Sequence, residues 1–390
     1  MKPIYMDHSA TTPVAAEVLE AMLPYFSQRF GNASSLHGFG REAKEALEES
    51  RQRVARLLNA HPREIVFTSG GTESDNLALR GIAYKNRNSG RHIITSQIEH
   101  PAILETCHSL EREGFSVTYL PVNREGLIEL SELERAIRPD TILISIMHAN
   151  NEVGTIQPLE EVGRLAADRD IYLHTDAVQT VGKIPVDVEA MGADLLSLSA
   201  HKLYGPKGVG ALYIRRGTKM QSLSTGGGHE RNLRSGTENV AGIVGLARAA
   251  DLAREEMAAE GQRLVQLRDR LAALVLGRVK DAWVNGSMEK RLPGSLNFGF
   301  SYVEGESLLL YLDSKGIAVS TGSACSSHKL EPSHVLLALG LKPEECHGSL
   351  RITMGRSNNK EQVDYVAECI AEAVERFRMM SPLGREEGRK

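Results

Sequence analysis

Three stretches of this chain carry residue types that could hold an anion, pair with a charged ring nitrogen and form a Schiff base. In Thr68-Ser69-Gly70-Gly71-Thr72-Glu73-Ser74-Asp75 an apolar run ends and a helical pattern begins. Two glycines let the main chain approach a ligand, and a helix N-terminus offers unpaired N–H groups and a positive dipole end. Gly71 and Thr72 therefore suit a phosphate, although Thr72 followed by Asp75 also reads as a capping box. Tyr172-Leu173-His174-Thr175-Asp176-Ala177 puts an acid at the carboxyl end of a strand, where open α/β sheets bind ligands. Asp176 there can keep a pyridine nitrogen protonated, or it can cap the next helix. Ser197-Leu198-Ser199-Ala200-His201-Lys202 places a lysine just past another strand, a position for a Schiff-base amine. Each signal is weak alone, and their order on one chain gives them weight.

A fourth stretch supplies a nucleophile. Ser320-Thr321-Gly322-Ser323-Ala324-Cys325-Ser326-Ser327-His328 is small and polar, and reads as an exposed, mobile loop in which a thiol can be reached. Cys107 and Cys369 sit at helical spacing among apolar residues and read as core, while Cys346 stays open. Cys325 with His328 and His334 matches no usual zinc spacing, so no metal site is expected.

These residues need a scaffold that brings strand ends together. Strands are predicted at Glu64–Thr68, His92–Ser96, Ser116–Leu120, Thr141–Met147, Ile171–Thr175, Asp194–Ser199 and Val209–Ile214, alternating with helical patterns such as Asp75–Tyr84, Pro101–Glu113 and Leu159–Asp168. That alternation predicts an α/β fold with a mostly parallel sheet covered by helices. The last two strands are joined without a helix, so an antiparallel edge is expected. From Val240 to about Leu276 the pattern is continuously helical and is expected to bridge two units. Gly294–Phe300, Ile317–Ser320 and Leu350–Met354 read as strands of the smaller one, closed by a helix over Lys360–Met379. The large unit is taken as residues 15–257 and the small unit as 1–14 and 258–390, and the N-terminal helix over Val14–Gln28 is expected to pack with the small unit.

Bulk properties exclude several classes. At 390 residues the chain exceeds one ordinary core. The 46 basic and 50 acidic side chains leave a formal charge of −4, which gives no general attraction to nucleic acid or anionic membrane. No apolar run of membrane-spanning length or signal-peptide core is read, and four cysteines make a disulfide framework improbable, so a cytoplasmic setting is expected. The polar tail Gly384–Lys390 is expected to fray.

Taken together, the sequence resembles the class V, fold-type-I pyridoxal-phosphate enzymes, and within them the cysteine desulfurases of the NifS/IscS type. The resemblance runs nearly end to end, through Asp7-His8-Ser9-Ala10-Thr11-Thr12-Pro13, Gly31-Asn32-Ala33-Ser34-Ser35-Leu36-His37, Glu99-His100-Pro101-Ala102, Asn150-Asn151-Glu152-Val153-Gly154, His201-Lys202, Arg234-Ser235-Gly236-Thr237-Glu238-Asn239 and Gly322-Ser323-Ala324-Cys325. It implies that Lys202 carries pyridoxal 5'-phosphate, that Asp176 pairs with the ring nitrogen, and that Gly71, Thr72, Ser199 and His201 bind the phosphate. Thr237 would reach the phosphate from a neighbouring subunit, so a homodimer is implied. His100 would stack on the ring and move protons, Asn151 and Gln179 would meet the ring oxygen, and Arg351 would clamp the substrate carboxylate. Cys325 would take the sulfur of L-cysteine as a persulfide, leaving L-alanine, and pass it to a protein acceptor such as an iron–sulfur scaffold.

The sequence departs from the family pattern at His8 and Ser9 and at Arg356-Ser357-Asn358-Asn359-Lys360, neither of which touches the cofactor set. An aminotransferase on the same fold would keep the cofactor residues but not require Cys325. Selenocysteine lyase activity is a near variant. A non-catalytic scaffold would not require Lys202 or Cys325.

Overall fold

The computed structural model describes residues 3–321 and 331–380. Cys325, His328 and the tail Gly384–Lys390 lie outside the described residues. A short strand β1 (Ile4–Tyr5) precedes the main sheet, made of β2 (Ile65–Thr68), β3 (His92–Ser96), β4 (Ser116–Leu120), β5 (Thr141–Ser145), β6 (Tyr172–Asp176), β7 (Leu195–Ser199) and β8 (Gly210–Ile214). Its spatial order is β2-β8-β7-β6-β5-β3-β4. Every residue of β2, β3, β5, β7 and β8 is buried, as the near-continuous apolar runs require of strands covered on both faces.

β8 runs antiparallel to both β7 and β2. The antiparallel strand is therefore one place in from the edge, not at it. A connection without a helix returns β8 beside β7, and β2 then closes the sheet. Two antiparallel pairings in succession leave β2 running the same way as β7. Its carboxyl end, with the turn at Gly70, thus opens on the same side as those of β3, β5, β6 and β7. The chain also reverses its direction of strand addition between β3 and β5, with β4 outside β3 and β6 and β7 beyond β5. The crevice outside the carboxyl ends at such a reversal is where open α/β sheets take ligands.

The smaller sheet pairs β10 (Ser295–Phe300) with β9 (Ala282–Val284) and β12 (Ser349–Thr353), all antiparallel, while β1 pairs in parallel with β11 (Ile317–Ala318). The helix Val240–Arg278 has 39 residues, so it extends about 58 Å at 1.5 Å per residue. Its first part gives Ile243, Leu246, Ala249, Ala250, Leu252 and Ala253 to the core of the main sheet. Its last part gives Leu267, Leu271, Ala272 and Val275 to the core around β10, β12 and the helix Lys360–Met380.

The N-terminal helix Ala16–Met22 does not pack with the small unit. Val18 and Met22 are buried in the core of the main sheet, and a Cβ on Gly245 of the long helix would stand 2.6 Å from the Met22 sulfur. Glycine on the long helix lets the two helices approach there. Among the described residues no helix is long and apolar enough to cross a membrane.

Candidate active site

A cavity of about 290 Å³ opens at the carboxyl ends of the main strands. Its walls include Gly71, Thr72, His100, Asn151, Asp176, Gln179, Ser199, His201, Lys202 and Arg351, which were the residues singled out from the sequence apart from Thr237 and Cys325. They come from the carboxyl ends of β2, β3, β5, β6 and β7 and the turns that follow them, and Arg351 comes from the middle of β12 in the smaller sheet. The site is thus closed by packing the two sheets against each other.

The glycine turn has the expected shape but not the expected cap. Gly70, with φ of +151°, is the N-cap of the helix Gly71–Asn86 and no side chain caps it, so Thr72 and Asp75 do not form a capping box. A Cβ at Gly71 would lie 2.7 Å from Val178 Cγ2, so only glycine lets the helix start this close to the loop after β6. Glu73 ties the turn down by accepting from the Ser69 N–H at 2.7 Å and pairing with Arg234 at 2.8 Å.

Lys202 leaves β7 through a 3-10 turn, and its ammonium donates to the main-chain oxygens of Ser9 and Ala10, the latter at 2.8 Å. Gln179 donates from Nε2 to the same Ser9 oxygen at 3.0 Å and accepts from Lys183 Nζ at 3.0 Å. Ser9 acts through its backbone, which explains why a side-chain departure there leaves this corner intact. At the second departure, Asn358 is buried and uses its side chain to accept from the Gly355 N–H and donate to the Tyr5 carbonyl, a structural task.

Asp176 is 6% exposed at the end of β6, and Oδ1 accepts from the Val178 N–H at 2.9 Å. Burial raises its pKa, and the nearby His100 and Lys202 oppose that rise. His100 caps the helix Pro101–Arg112, with Nδ1 accepting from the Ala102 N–H at 3.1 Å. Burial lowers its pKa, so at neutral pH its proton sits on Nε2. His201 is pushed to about 4 by burial and by the lysines around it, and its Nδ1 lies 3.1 Å from the Thr11 hydroxyl. Arg351 is 2% exposed, with Nη2 on Asp7 Oδ1 at 3.0 Å and Nη1 on the Asn151 carbonyl at 3.3 Å. Its Nε–H has no partner among the described residues.

Thr237 is exposed and does not line this cavity. Cys107, Cys346 and Cys369 are all buried. Cys346 packs with Ile98, Met147 and Leu336, and burial pushes its thiol up to about 11, so it is a core residue. No cluster of His, Cys, Asp and Glu able to hold a metal occurs among the described residues.

Three buried polar residues around the site carry no site role in the sequence reading. Asp75 lines the cavity, and His174 and Glu99 stand behind it. A signal for two of them was present. Asp75 lies four residues after Gly71 on one helix face, and His174 lies two residues before Asp176 on one strand face. Glu99 Oε1 accepts from the Ser96 hydroxyl at 2.6 Å and the Met147 N–H at 3.0 Å.

The family of these residues can be stated from comparison. The family described as Aminotransferase class-V matches residues 4–366. The chain belongs to the class-V aminotransferases. Among them it is 54% identical over 385 residues to a cysteine desulfurase IscS of Dictyoglomus turgidum, covering 99% of this chain and 98% of that one. A solved NifS-like protein superposes with a TM-score of 0.90 at 42% identity, over 96% of this chain and 99% of the other. A solved structure of SspA in complex with cysteine gives 0.82 at 40% identity, over 90% and 99%. Within the class-V aminotransferases the chain is thus of the NifS/IscS cysteine desulfurase type, and it is dependent on pyridoxal phosphate.

The residues present fit that cofactor. A glycine cradle at a helix start suits a phosphate, with Ser199 and His201 beside it. A buried acid at a strand end suits a protonated ring nitrogen, and a lysine amine stands in the same cavity.

One consequence concerns Glu99, which burial raises from an ordinary 4.5 to about 8. The folded state therefore keeps a proton that the unfolded state releases above about 4.5. The stabilisation linked to that proton is complete below the unfolded pKa and is lost as pH rises toward 8. Glu99→Gln does not titrate, so its stability relative to the parent is expected to improve as pH rises from 5 to 8, by up to about 1.4 kcal/mol per pH unit. Urea unfolding of both proteins at pH 5, 6.5 and 8 measures this, and parallel pH curves would contradict it.

Proposed function

We propose that this chain removes sulfur from L-cysteine, giving L-alanine and a persulfide on Cys325, and passes the sulfur to a protein acceptor such as an iron–sulfur scaffold. The observation that carries the reading is one cavity holding a lysine amine, a buried strand-end aspartate and an arginine guanidinium. Bound pyridoxal phosphate supplies the electron sink that acidifies the α-carbon of an amino acid.

The chain's own residues do the rest. Arg351 lines the cavity as the cation for the substrate carboxylate, and Asp7 and the Asn151 carbonyl hold the guanidinium in place. Lys202, steadied by the Ser9 and Ala10 carbonyls, holds the cofactor and moves the proton at the α-carbon. His100, neutral with Nε2–H, supplies a second proton carrier. Asp176 sustains positive charge on the ring nitrogen. The Cys325 thiolate attacks the substrate sulfur, forming an S–S bond. The C–S bond breaks with its electron pair left on carbon, and that carbon takes a proton on the way to alanine.

Incubating cofactor-loaded protein with L-cysteine and a thiol reductant, and counting alanine, tests the reading. Alanine in excess over protein supports it. No alanine, with cofactor absorbance that still responds to other amino acids, transfers the assignment to an aminotransferase. Arg351→Lys keeps the charge but loses the planar fork, so KM for cysteine is expected to rise at least about tenfold with a smaller fall in kcat. Initial rates across substrate concentrations separate the two.

The working unit we propose is a homodimer in the cytoplasm. Leu19, Leu23, Phe26, Phe30, Leu36 and Phe39 are all at least half exposed within one N-terminal segment, and the Phe30 and Phe39 rings stack at 5.5 Å. Such a surface suits burial against a second copy. Exposed Thr237 is then available to a neighbouring site. Light scattering on the eluted protein is expected to return twice the chain mass of 42.7 kDa, and one chain mass overturns the dimer.

A further inference from the structure

Behind the Asp176 position lies a carboxyl group that the mechanism above does not use. Asp75 is 1% exposed, lines the same cavity as Asp176, and its Oδ1 has no hydrogen-bond partner among the described residues. Among the described residues the Ser197 hydroxyl is the one side-chain donor near this carboxyl, and an ionised carboxylate buried with so few donors is costly. His174 is the nearest candidate counter-ion, with Nε2 at 3.7 Å from Asp75 Oδ1. Its ring nitrogens already meet the Ser145 hydroxyl at 2.9 Å and the Ser197 hydroxyl at 3.0 Å, a pairing that satisfies a neutral imidazole. The other acids facing Asp75 are Asp176 and Glu99; Glu99 keeps its own proton at neutral pH, so it is the Asp176 charge that makes a second negative charge harder to sustain. Lys202 and His100 act on Asp176 instead.

We propose that Asp75 is a neutral carboxylic acid that leaves Asp176 as the one anion available to pair with the cofactor's ring nitrogen. This rests on the cofactor reading above. Two close carboxyl groups in a buried site cannot both ionise, and the one that pairs with the ring nitrogen is the one that keeps its charge. Asp75 is thus a positioning residue, setting the charge seen by the ring without touching the substrate. Burial first and the Asp176 charge second raise its pKa and outweigh the lowering by a Ser197 hydrogen bond, in line with this assignment.

The test is infrared difference spectroscopy of the holoenzyme near neutral pH, with aspartate carboxyls labelled by carbon-13. The parent is expected to show a protonated-acid carbonyl band that shifts with the label, and Asp75→Asn is expected to lack it. Glu99, being unlabelled, does not contribute to the shift. The pH titration of the bound cofactor's absorbance is expected to keep its midpoint in Asp75→Asn, because one neutral group replaces another. Absence of the labelled band in the parent overturns the proposal. So does a midpoint in Asp75→Asn that falls by about one pH unit, the tenfold loss of proton affinity that removing a nearby anion produces. If Asp75→Asn does not fold, Asp75→Ser serves the same comparison, and absence of the band in the parent still overturns the proposal. Repeating the infrared measurement without cofactor separates the two readings: a band with no cofactor binding sinks the cofactor assignment and leaves the proton on Asp75 standing.

Discussion

Lys202→Ala is expected to lower alanine formation from L-cysteine by about 10³-fold or more, the upper range for removing a positioned proton carrier. Lys202 leaves β7 with its ammonium held by two main-chain oxygens, so its position is fixed by backbone. Asp176 and His100 come from other elements and keep their own hydrogen bonds when the lysine is removed. The variant is therefore expected to fold and to bind cofactor without a covalent link. Borohydride treatment followed by peptide mass analysis should find the cofactor on the peptide containing Lys202 in the parent, and unattached in Lys202→Ala. A parent labelled on another lysine, Lys183 or Lys207 included, would reassign the anchor.

The second large effect concerns the sulfur rather than the cofactor. Cys325→Ala is expected to lower alanine formation by about 10³-fold or more, as removing a nucleophile does in other enzymes. Without the thiolate no group accepts the substrate sulfur, and the C–S bond has no route to cleavage. The two variants differ in a second readout. Cys325→Ala keeps Lys202, so cofactor absorbance is expected to respond to L-cysteine even though alanine does not accumulate. Lys202→Ala is expected to lose alanine formation too, but its bound cofactor starts as the unlinked aldehyde, so its absorbance before L-cysteine is added lacks the lysine imine seen in Cys325→Ala. The buried thiols Cys107 and Cys346, raised by burial to about 12 and about 11, are poor substitutes because so little thiolate forms. Appreciable alanine from Cys325→Ala would therefore point to a sulfur acceptor other than these two.

Much of the site was legible from local chemistry. A turn of two glycines before a helix, an acid ending an apolar strand and a lysine just past another are signals within a few residues, and such short stretches determine strand ends. Gly71, Asp176 and Lys202 accordingly stand where their sequence context placed them. Asp75 was different. Its spacing from Thr72 suggested a cap, but the helix starts at Gly71 with Gly70 as its cap, and the carboxyl turns inward beside Asp176. A cap and a buried acid share the same local spacing, and only what packs against the helix tells them apart.

The sequence by itself determined the element order, the parallel sheet and the residues able to bind a phosphate, a ring nitrogen and an amine. Those properties depend on the period of apolar residues, on glycine's backbone freedom and on which side chains ionise, all of which are local. Tertiary structure decided which strand became the edge, where the N-terminal helix packs, and which carboxyl groups share a wall. It also brought Arg351 from β12 against Asp7 and the Asn151 carbonyl, across 344 and 200 residues of chain. Pairings of that separation arise from the packing of one sheet against another, and no local pattern encodes the distance or the burial that sets their charge.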